Sequence, residues 1–542
     1  MVRINFNYII LLSFISILLG QPDSRFRPFD WVLYKGPGSI QSITEGFTYA
    51  YIGTSSGGIK RFNLYSNYFD NPLTSAQGLK SNSIDAVHFD KITGLLWAAS
   101  SENIQYSFSR EGDWFAISLT SLGLSRSDKI NRIGSSDNYV WLHARSSFVK
   151  LDHSSGMLIG IYPYPDELKI NWSSGYYSGE NNLRKVLNDF SFLDGWVYNG
   201  DELIDQLGRR TRVATGYLGD HSNVYFGSED GTIFYGTNTM QSFSQINSDI
   251  INTDVSSLYL YDDNLYIGSQ DYVNSKGISK LSLRSFSSEQ FIFEEIINMN
   301  PSSIYSLHHS QNALWAGGDG IVLYHNLNDN YWRTLGNGRG IPEGKIFDLF
   351  GNESHLWIGS SKGLGRLEKS TLSKDPIGIE DIFRNCSVYD IEYIESNFWL
   401  GTSIGIYIYS INQSQLMQML DIGRKNFAEN VFNVTSLKYY DDSVYAVCDI
   451  GIIKFDFNKK EWDLIFTSGI YSNGQIFSMA INNKFIFLGL NDGFIKINKR
   501  TGFVKDYKFP FLGQINDIII DGKEIWLGSS SGLIKFLWKR DL

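Results

Sequence analysis

The sequence predicts an all-β fold of tandem β-propellers, about twelve four-stranded blades in two rings. Three observations predict it. A segment built on an aromatic residue and a glycine recurs about every 42 residues, each copy breaks into four short runs suited to strand, and no copy shows a 3.6-residue apolar period. A repeat of about 40 to 45 residues with four strands and a glycine-marked hairpin is the pattern of a propeller blade.

The chain opens with Met1-Val2-Arg3, a short apolar run from Ile9 to Leu19, and the polar break Gln21-Pro22-Asp23. One charge, a run too short to span a bilayer and a small residue at Gly20 predict a secretory signal over residues 1–20 and hence a periplasmic or extracellular protein. Gln21 stands where a lipoprotein would need cysteine, and retention of the signal as an anchor stays open. No later stretch is long and apolar enough to span a membrane. Residues 21–38 contain "FDWVLY" (29–34), which matches a fourth-strand run, while the chain ends after the third-strand run "GLIKF" (532–536). The N-terminal strand is therefore expected to close the last blade and remove exposed edges.

The aromatic marker falls at Tyr51, Trp97, Trp141, Tyr225, Tyr266, Trp315, Trp357, Trp399, Tyr445, Phe487 and Trp526. The gap from Trp141 to Tyr225 is twice the usual one, so a degenerate copy is expected within residues 189–210. The gap from Tyr266 to Trp315 is the widest between neighbours and places a boundary near 290, with a first propeller over 39–290 and a second over 291–542. Six blades in each is the reading; seven plus five, or a missed blade, stays open. Within a copy the first strand alternates, as in "SIDAVHF" (83–89) and "INDIII" (515–520). The marker run forms the second strand, "GLIKF"-like runs the third, and runs such as "YWRTL" (331–335) the fourth.

Composition excludes several function classes. A formal charge of −10 and a pI near 5.4 argue against a general nucleic-acid or anionic-membrane binder, which would need a basic face, while a local basic patch stays open. Two cysteines, Cys386 and Cys448, supply neither a disulfide framework nor a cysteine zinc site. Loop geometry puts them on one face of adjacent blades, where they could pair.

The sequence G-x-S-x-G, a nucleophile-elbow pattern, occurs at 53–57, 359–363, 401–405 and 528–532. Each copy occupies the same place in its repeat, no helical pattern follows it, and other copies put Asp or Glu there. These serines therefore read as turn residues between strands two and three, and no catalytic residue is assigned. The eight histidines are scattered, and His308 and His309 would point to opposite faces of a strand, so no metal or cofactor site is expected. Asp262-Asp263 and Asp441-Asp442 read as turn residues.

Strand direction alternates, so the loops from strand four to strand one share a face with the G-x-S-x-G turns. Lys80, Asn82, Arg126, Arg339, Glu343, Tyr471 and Asn473 lie in those loops and are the expected ligand contacts. A second candidate is the insertion "IYPYPDELKINWSSGYYSGENN" (161–182), which breaks the blade pattern and carries Tyr162, Tyr164, Trp172, Tyr176 and Tyr177. An inert insertion and a binding loop are equally consistent with it.

The segment "GLKSNSIDAVHFDKITGLLWAAS" (78–100) resembles the two-component regulator propeller repeat through Gly78, Leu79, Asn82, Ile84, Asp90, Gly94, Leu96 and Trp97, and the resemblance extends over most of residues 30–542. That family implies a β-propeller and, often, the sensor portion of a hybrid histidine kinase, although no kinase or DNA-binding segment is expected here. Exported double-propeller accessories of the type IX secretion system look similar but carry a further C-terminal domain. The expected function is an exported, non-catalytic binding or scaffolding protein whose partner is a protein or glycan of the cell envelope, with no nucleic acid and no membrane span. The alternative is a propeller enzyme, a lyase or glycosidase acting on polysaccharide.

Overall fold

The computed structural model describes residues 25–541 except 126, 177–185, 201, 207, 220–221, 247–249, 271–276, 285–286, 295–302, 311 and 468–474. The signal-peptide expectation thus lies outside the described residues, among which no helix is long and apolar enough to cross a membrane. Strand accounts for 52% of the chain and helix for 6%, so the fold is all-β, built as tandem β-propellers.

The described residues form eleven sheets, and each contains one aromatic marker. All eleven markers are buried, as packing between blades requires. A repeated register explains the cation in the third-strand runs. Trp141 pairs with Lys150, Trp357 with Arg366, Tyr445 with Lys454 and Trp526 with Lys535. In each pair the cation sits 5.0 to 5.9 Å from the ring centroid, so the aliphatic stem packs on the ring while the charge meets its negative face.

The chain divides at 249/250, which places four sheets in the first unit and seven in the second. Repeat spacing predicts a division near 290, with six and six, or seven and five, blades; the chain departs from it in two places. The wide gap after Tyr266 falls inside the second unit. In the doubled gap before Tyr225 the described residues form no separate sheet: Ser191–Phe192, Val197–Tyr198 and Glu202–Ile204 are short strands that extend the fourth sheet to seven strands.

In the second unit the innermost strand of each sheet packs on that of the next, and one recurring position locks them together. Ser306 and Ser478 donate to the Ile346 and Ile515 carbonyls at 3.0 and 3.2 Å. Asp348 accepts from the Ile391 N–H at 2.8 Å and Asp390 from the Leu437 N–H at 2.7 Å. Asp517 accepts from the Leu258 N–H at 2.8 Å, which ties the last sheet of the unit to its first and closes a ring of seven. The last sheet draws three strands, Ile515–Asp521, Glu524–Ser529 and Gly532–Phe536, from this unit. Trp31–Tyr34 forms the expected strand in the first unit, fully buried, with Gln77 donating to the Trp31 carbonyl at 2.7 Å.

The first unit closes differently. Its innermost strands pack in the order fourth, first, second, third, and residues 171–176 fill the space between third and fourth. Asn171–Trp172 pairs with the inner strand of the third sheet, and Ser173 donates to the Ile133 carbonyl at 2.8 Å. Ser174 accepts from the Ile43 N–H at 2.7 Å and from the Thr215 hydroxyl at 2.8 Å, while its carbonyl accepts from Ser42 at 2.7 Å. Both serines are buried and bridge the inner strands of three sheets. A side chain at Gly175 would meet the Asn131 carbonyl at 2.4 Å, so only glycine lets the segment through.

Candidate ligand-binding mouth and axial channel

The G-x-S-x-G turns define the face. Ser360, Thr402 and Ser529 end the second strand and donate to the carbonyls of Gly363, Gly405 and Gly532, which turn the chain at φ of 138°, 119° and 135°. The serine that would be the nucleophile does other work. The hydroxyls of Ser55, Ser361, Ser403 and Ser530 accept from the N–H of Ser39, Lys345, Ser387 and Gln514, at 2.9 to 3.1 Å. Each clasps the loop entering its own sheet to the turn beside it. Asp262, Asp263, Asp441 and Asp442 have φ between 46° and 59°, which is turn geometry.

Cys448 occupies the same slot as Ser529 and donates to the Gly451 carbonyl at 3.4 Å. The two cysteines are free and form no disulfide, because Cys448 faces the apolar core with Val434, Ile453 and Phe455 around it. Burial pushes its thiol up to about 11, so it is not a nucleophile at neutral pH.

The loop residues expected to bind divide between the units. Lys80 is exposed, but Asn82 is a structural clamp: its oxygen accepts from the Ser75 N–H at 2.8 Å and its amide donates to the Ser75 hydroxyl at 3.1 Å. Arg339 and Glu343 are exposed on one loop of the second unit, where Glu343 accepts from Asn337 at 3.3 Å. Arg126, Tyr177, Tyr471 and Asn473 lie outside the described residues. In the insertion, Trp172 packs under the Arg132 guanidinium at 4.6 Å, and Tyr176 donates to Glu229 at 3.3 Å. Tyr162 lies beside Trp141 at 5.7 Å, and among the described aromatics of the insertion Tyr164 alone is largely exposed, at 78%. Asp166 and Glu167 hold the returning loop to buried Lys150 at 2.8 and 3.5 Å, so much of the insertion is architecture.

One position escaped the sequence reading: on each innermost strand, the residue just before the position held by Ser306, Asp348, Asp390, Ser478 and Asp517 in the second unit and by Ser42, Ala86, Arg132 and Thr215 in the first, where the chain enters the ring. In the first unit it is Gln41, Asp85, Asn131 and Ala214. In the second it is Ser256, Tyr305, Phe347, Tyr389, Thr435, Phe477 and Asn516. Its signal was available as the aromatic in "IYS", "IFD", "VYD" and "IFS". The four rings of the second unit are half-buried, and Phe347 and Tyr389 stand 5.2 Å apart. Tyr305 donates to Asp319 at 3.2 Å beneath the Lys345 ammonium, 4.9 Å from the ring centroid. In the first unit Lys129 spans the corresponding place, 3.0 Å from Gln41, 3.1 Å from Asp85 and 5.4 Å from the Tyr176 ring.

Below the aromatic mouth lie Asp348, Asp390, Glu392, Lys438 and Asp517. Lys438 pairs with Glu392 at 2.8 Å and approaches Asp390 at 3.8 Å. Burial opposes its charge, but the carboxylates of Asp390 and Glu392 win and raise its pKa. Burial and the neighbouring Asp390 hold Asp348 well above the usual carboxylate range, and burial lifts Asp517 to about 6. Both oxygens of Asp348 and of Asp517 accept main-chain N–H groups. Among the described residues no group of three or more His, Cys, Asp or Glu could hold a metal ion.

No protein-family model and no curated protein matches the chain. Among solved structures, one extracellular domain assigned to a hybrid two-component system of B. thetaiotaomicron is 13% identical over 92% of this chain and 70% of that one, with a TM-score of 0.42. A second from that organism is 16% identical over 92% of this chain and 74% of that one, with a TM-score of 0.41. The WD40 propeller domain of Doa1 is 16% identical over 52% of this chain and 92% of that one, with a TM-score of 0.39. Values this low transfer neither family nor function, and the propeller architecture stands on the sheets described above.

Proposed function

We propose that this chain is an exported, non-catalytic β-propeller protein that binds a protein or glycan of the cell envelope at the mouth of its seven-sheet unit. One observation carries the reading: Tyr305, Phe347, Tyr389 and Phe477 gather half-exposed ring surface at one strand position. Aromatic faces there suit sugar C–H groups or apolar side chains, and Lys345, Asp319, Thr435 and Asn516 supply polar contacts beside them. The test is a glycan array together with a pull-down from envelope extract, comparing wild type with Phe347→Ala/Tyr389→Ala. At least a tenfold weaker capture by the variant is expected. Equal capture by both proteins, or none by wild type in either assay, overturns the proposal.

The enzyme reading retains one supporting observation, the raised carboxyl of Asp348 beside Asp390, an arrangement that acid catalysis on a polysaccharide would use. Against it, main-chain donors already occupy both Asp348 oxygens. Polysaccharide breakdown that Asp348→Asn abolishes while leaving ligand capture intact would replace the binding reading with this one.

A further inference from the structure

The run Arg209-Arg210-Thr211-Arg212 places three arginines within four residues of an acidic chain. It opens the strand Arg210–Leu218 of the first unit, which pairs with Glu202–Ile204 and, from Val213 onward, with Asn223–Ser228. Arg209 is taken by Asp205, which accepts from its Nε at 2.6 Å. Arg210 and Arg212, two residues apart on one strand, share a face. With Glu202, Thr211, Glu229 and Asp230 they line a cleft of about 320 Å³.

The charges in this cleft are held apart. Both guanidinium groups lean on one carboxylate, Glu202, at 3.6 and 3.9 Å, which is too far for a hydrogen bond, and their side chains stay 67 and 62% exposed. The other wall is the turn after Ser228, tied to the arginine strand by its main chain. The Glu229 N–H donates to the Arg212 carbonyl at 2.9 Å, and the Asp230 N–H to the hydroxyl of buried Thr211 at 3.4 Å. Other groups fix the two acids: Tyr176 donates to Glu229, and the Ser228 hydroxyl and the Thr232 N–H donate to one oxygen of Asp230. Among the described residues no ion pair joins Glu229 or Asp230 to Arg210 or Arg212. Opposite charges therefore face a common space without meeting across it.

We propose that this cleft binds a small zwitterion of the amino-acid and short-peptide class, its carboxylate on Arg210 and Arg212 and its ammonium on Glu229 and Asp230. Guanidinium groups present paired N–H donors in the geometry a carboxylate accepts. A simple anion would meet three carboxylates against two guanidinium groups, and a simple cation would meet the guanidinium groups with nothing to offer them. A molecule carrying both signs satisfies both walls. The volume lies at the small end of ligand sites, which begin near ~300 Å³, and suits a ligand no larger than a short peptide. The site stands apart from the aromatic mouth of the second unit and does not rest on the function proposed there.

Isothermal titration calorimetry on the full chain, at neutral pH and low salt, tests this. The probe is L-alanyl-L-alanine, beside its N-acetyl derivative, which keeps only the carboxylate, and its C-terminal amide, which keeps only the ammonium. The free dipeptide is expected to bind, and each blocked derivative to bind at least tenfold more weakly. Arg210→Gln with Arg212→Gln is expected to weaken the dipeptide at least tenfold with an unchanged thermal melt, because both side chains are exposed and loosely paired. Phe347→Ala with Tyr389→Ala is expected to leave its affinity as in wild type, so the two sites stand or fail separately. No binding of the dipeptide at millimolar concentration overturns the proposal. So do blocked derivatives that bind as well as the free dipeptide, or a double arginine variant that binds as well as wild type.

Discussion

The two units use one strand position for opposite ends. Where each chain segment enters a ring, the first unit places Gln41, Asp85 and Asn131 and bridges the first two with Lys129, while the second places Tyr305, Phe347, Tyr389 and Phe477. The axis of the first is crossed by Ser173 and Ser174, each hydrogen bonded to inner strands. The axis of the second holds Lys438 among carboxylates beneath half-buried rings. A four-sheet ring is completed by its own insertion, whereas a ring of seven closes sheet to sheet and leaves its mouth available. Residues 171–176 of the insertion, for which an inert role and a binding role were equally open, thus close one unit, and the mouth of the other is the candidate site.

The largest expected effect concerns acid. His88 is buried in the first unit, hydrogen bonded to Ser135 at 2.9 Å, and burial holds its pKa down at about 4. Because the folded value lies below the unfolded one of about 6.5, its contribution is fully present above that pH and is lost as pH falls towards 4. About 3 kcal/mol is at stake. His88→Leu should flatten the acid limb of the first unit's unfolding between pH 6.5 and 4, read by hydrogen exchange; an unchanged limb would remove His88 as its cause. The second unit holds His308 and His309, also depressed to about 4 by burial, but Asp517, raised to about 6, works in the opposite direction. Its stability should therefore rise on acidification wherever Asp517 dominates, which an Asp517→Ala variant would isolate.

Next in size, Ser173→Ala with Ser174→Ala strands the buried Ile43 and Ile133 N–H groups and should destabilise the first unit by about 2 kcal/mol. Exchange in the second unit should not change, and a uniform loss would contradict the plug assignment. Asp390→Ala removes the acceptor of the Leu437 N–H and should loosen the second unit by about 1 kcal/mol in denaturant unfolding. The smallest effect is Ser530→Ala, which removes one exposed hydrogen bond to Gln514 and should stay within about 0.5 kcal/mol. A larger loss would show the clasp to be more than local.

Much of this was legible in the residues. The marker at Trp526 and its relatives named every sheet, and the replacement of the serine by Glu229 and Asn491, each followed by Asp, exposed the nucleophile pattern as a turn. The slot shared by Ser529 and Cys448 was visible as alignment but not as hydrogen bonding, so a pairing of the two cysteines stayed open until the structure showed one as a cap and the other as a loop residue. The aromatic mouth was equally present in "IFD" and "VYD". It passed unnoticed because alternation predicts strand, and only the ring shows which strand position meets the axis.

By itself the sequence determined the repeat, the turn chemistry and the burial of the markers, since these depend on neighbours within one hairpin or one sheet. Only the tertiary structure decided how many sheets close each ring and what occupies each axis. The decisive contacts are long-range: Asp517 meets Leu258 across 259 positions, and Ser174 meets Ile43 across 131. No local period records such pairings, because the side chains that make them, a serine here and an aspartate there, are as common in turns as at the centre of a ring.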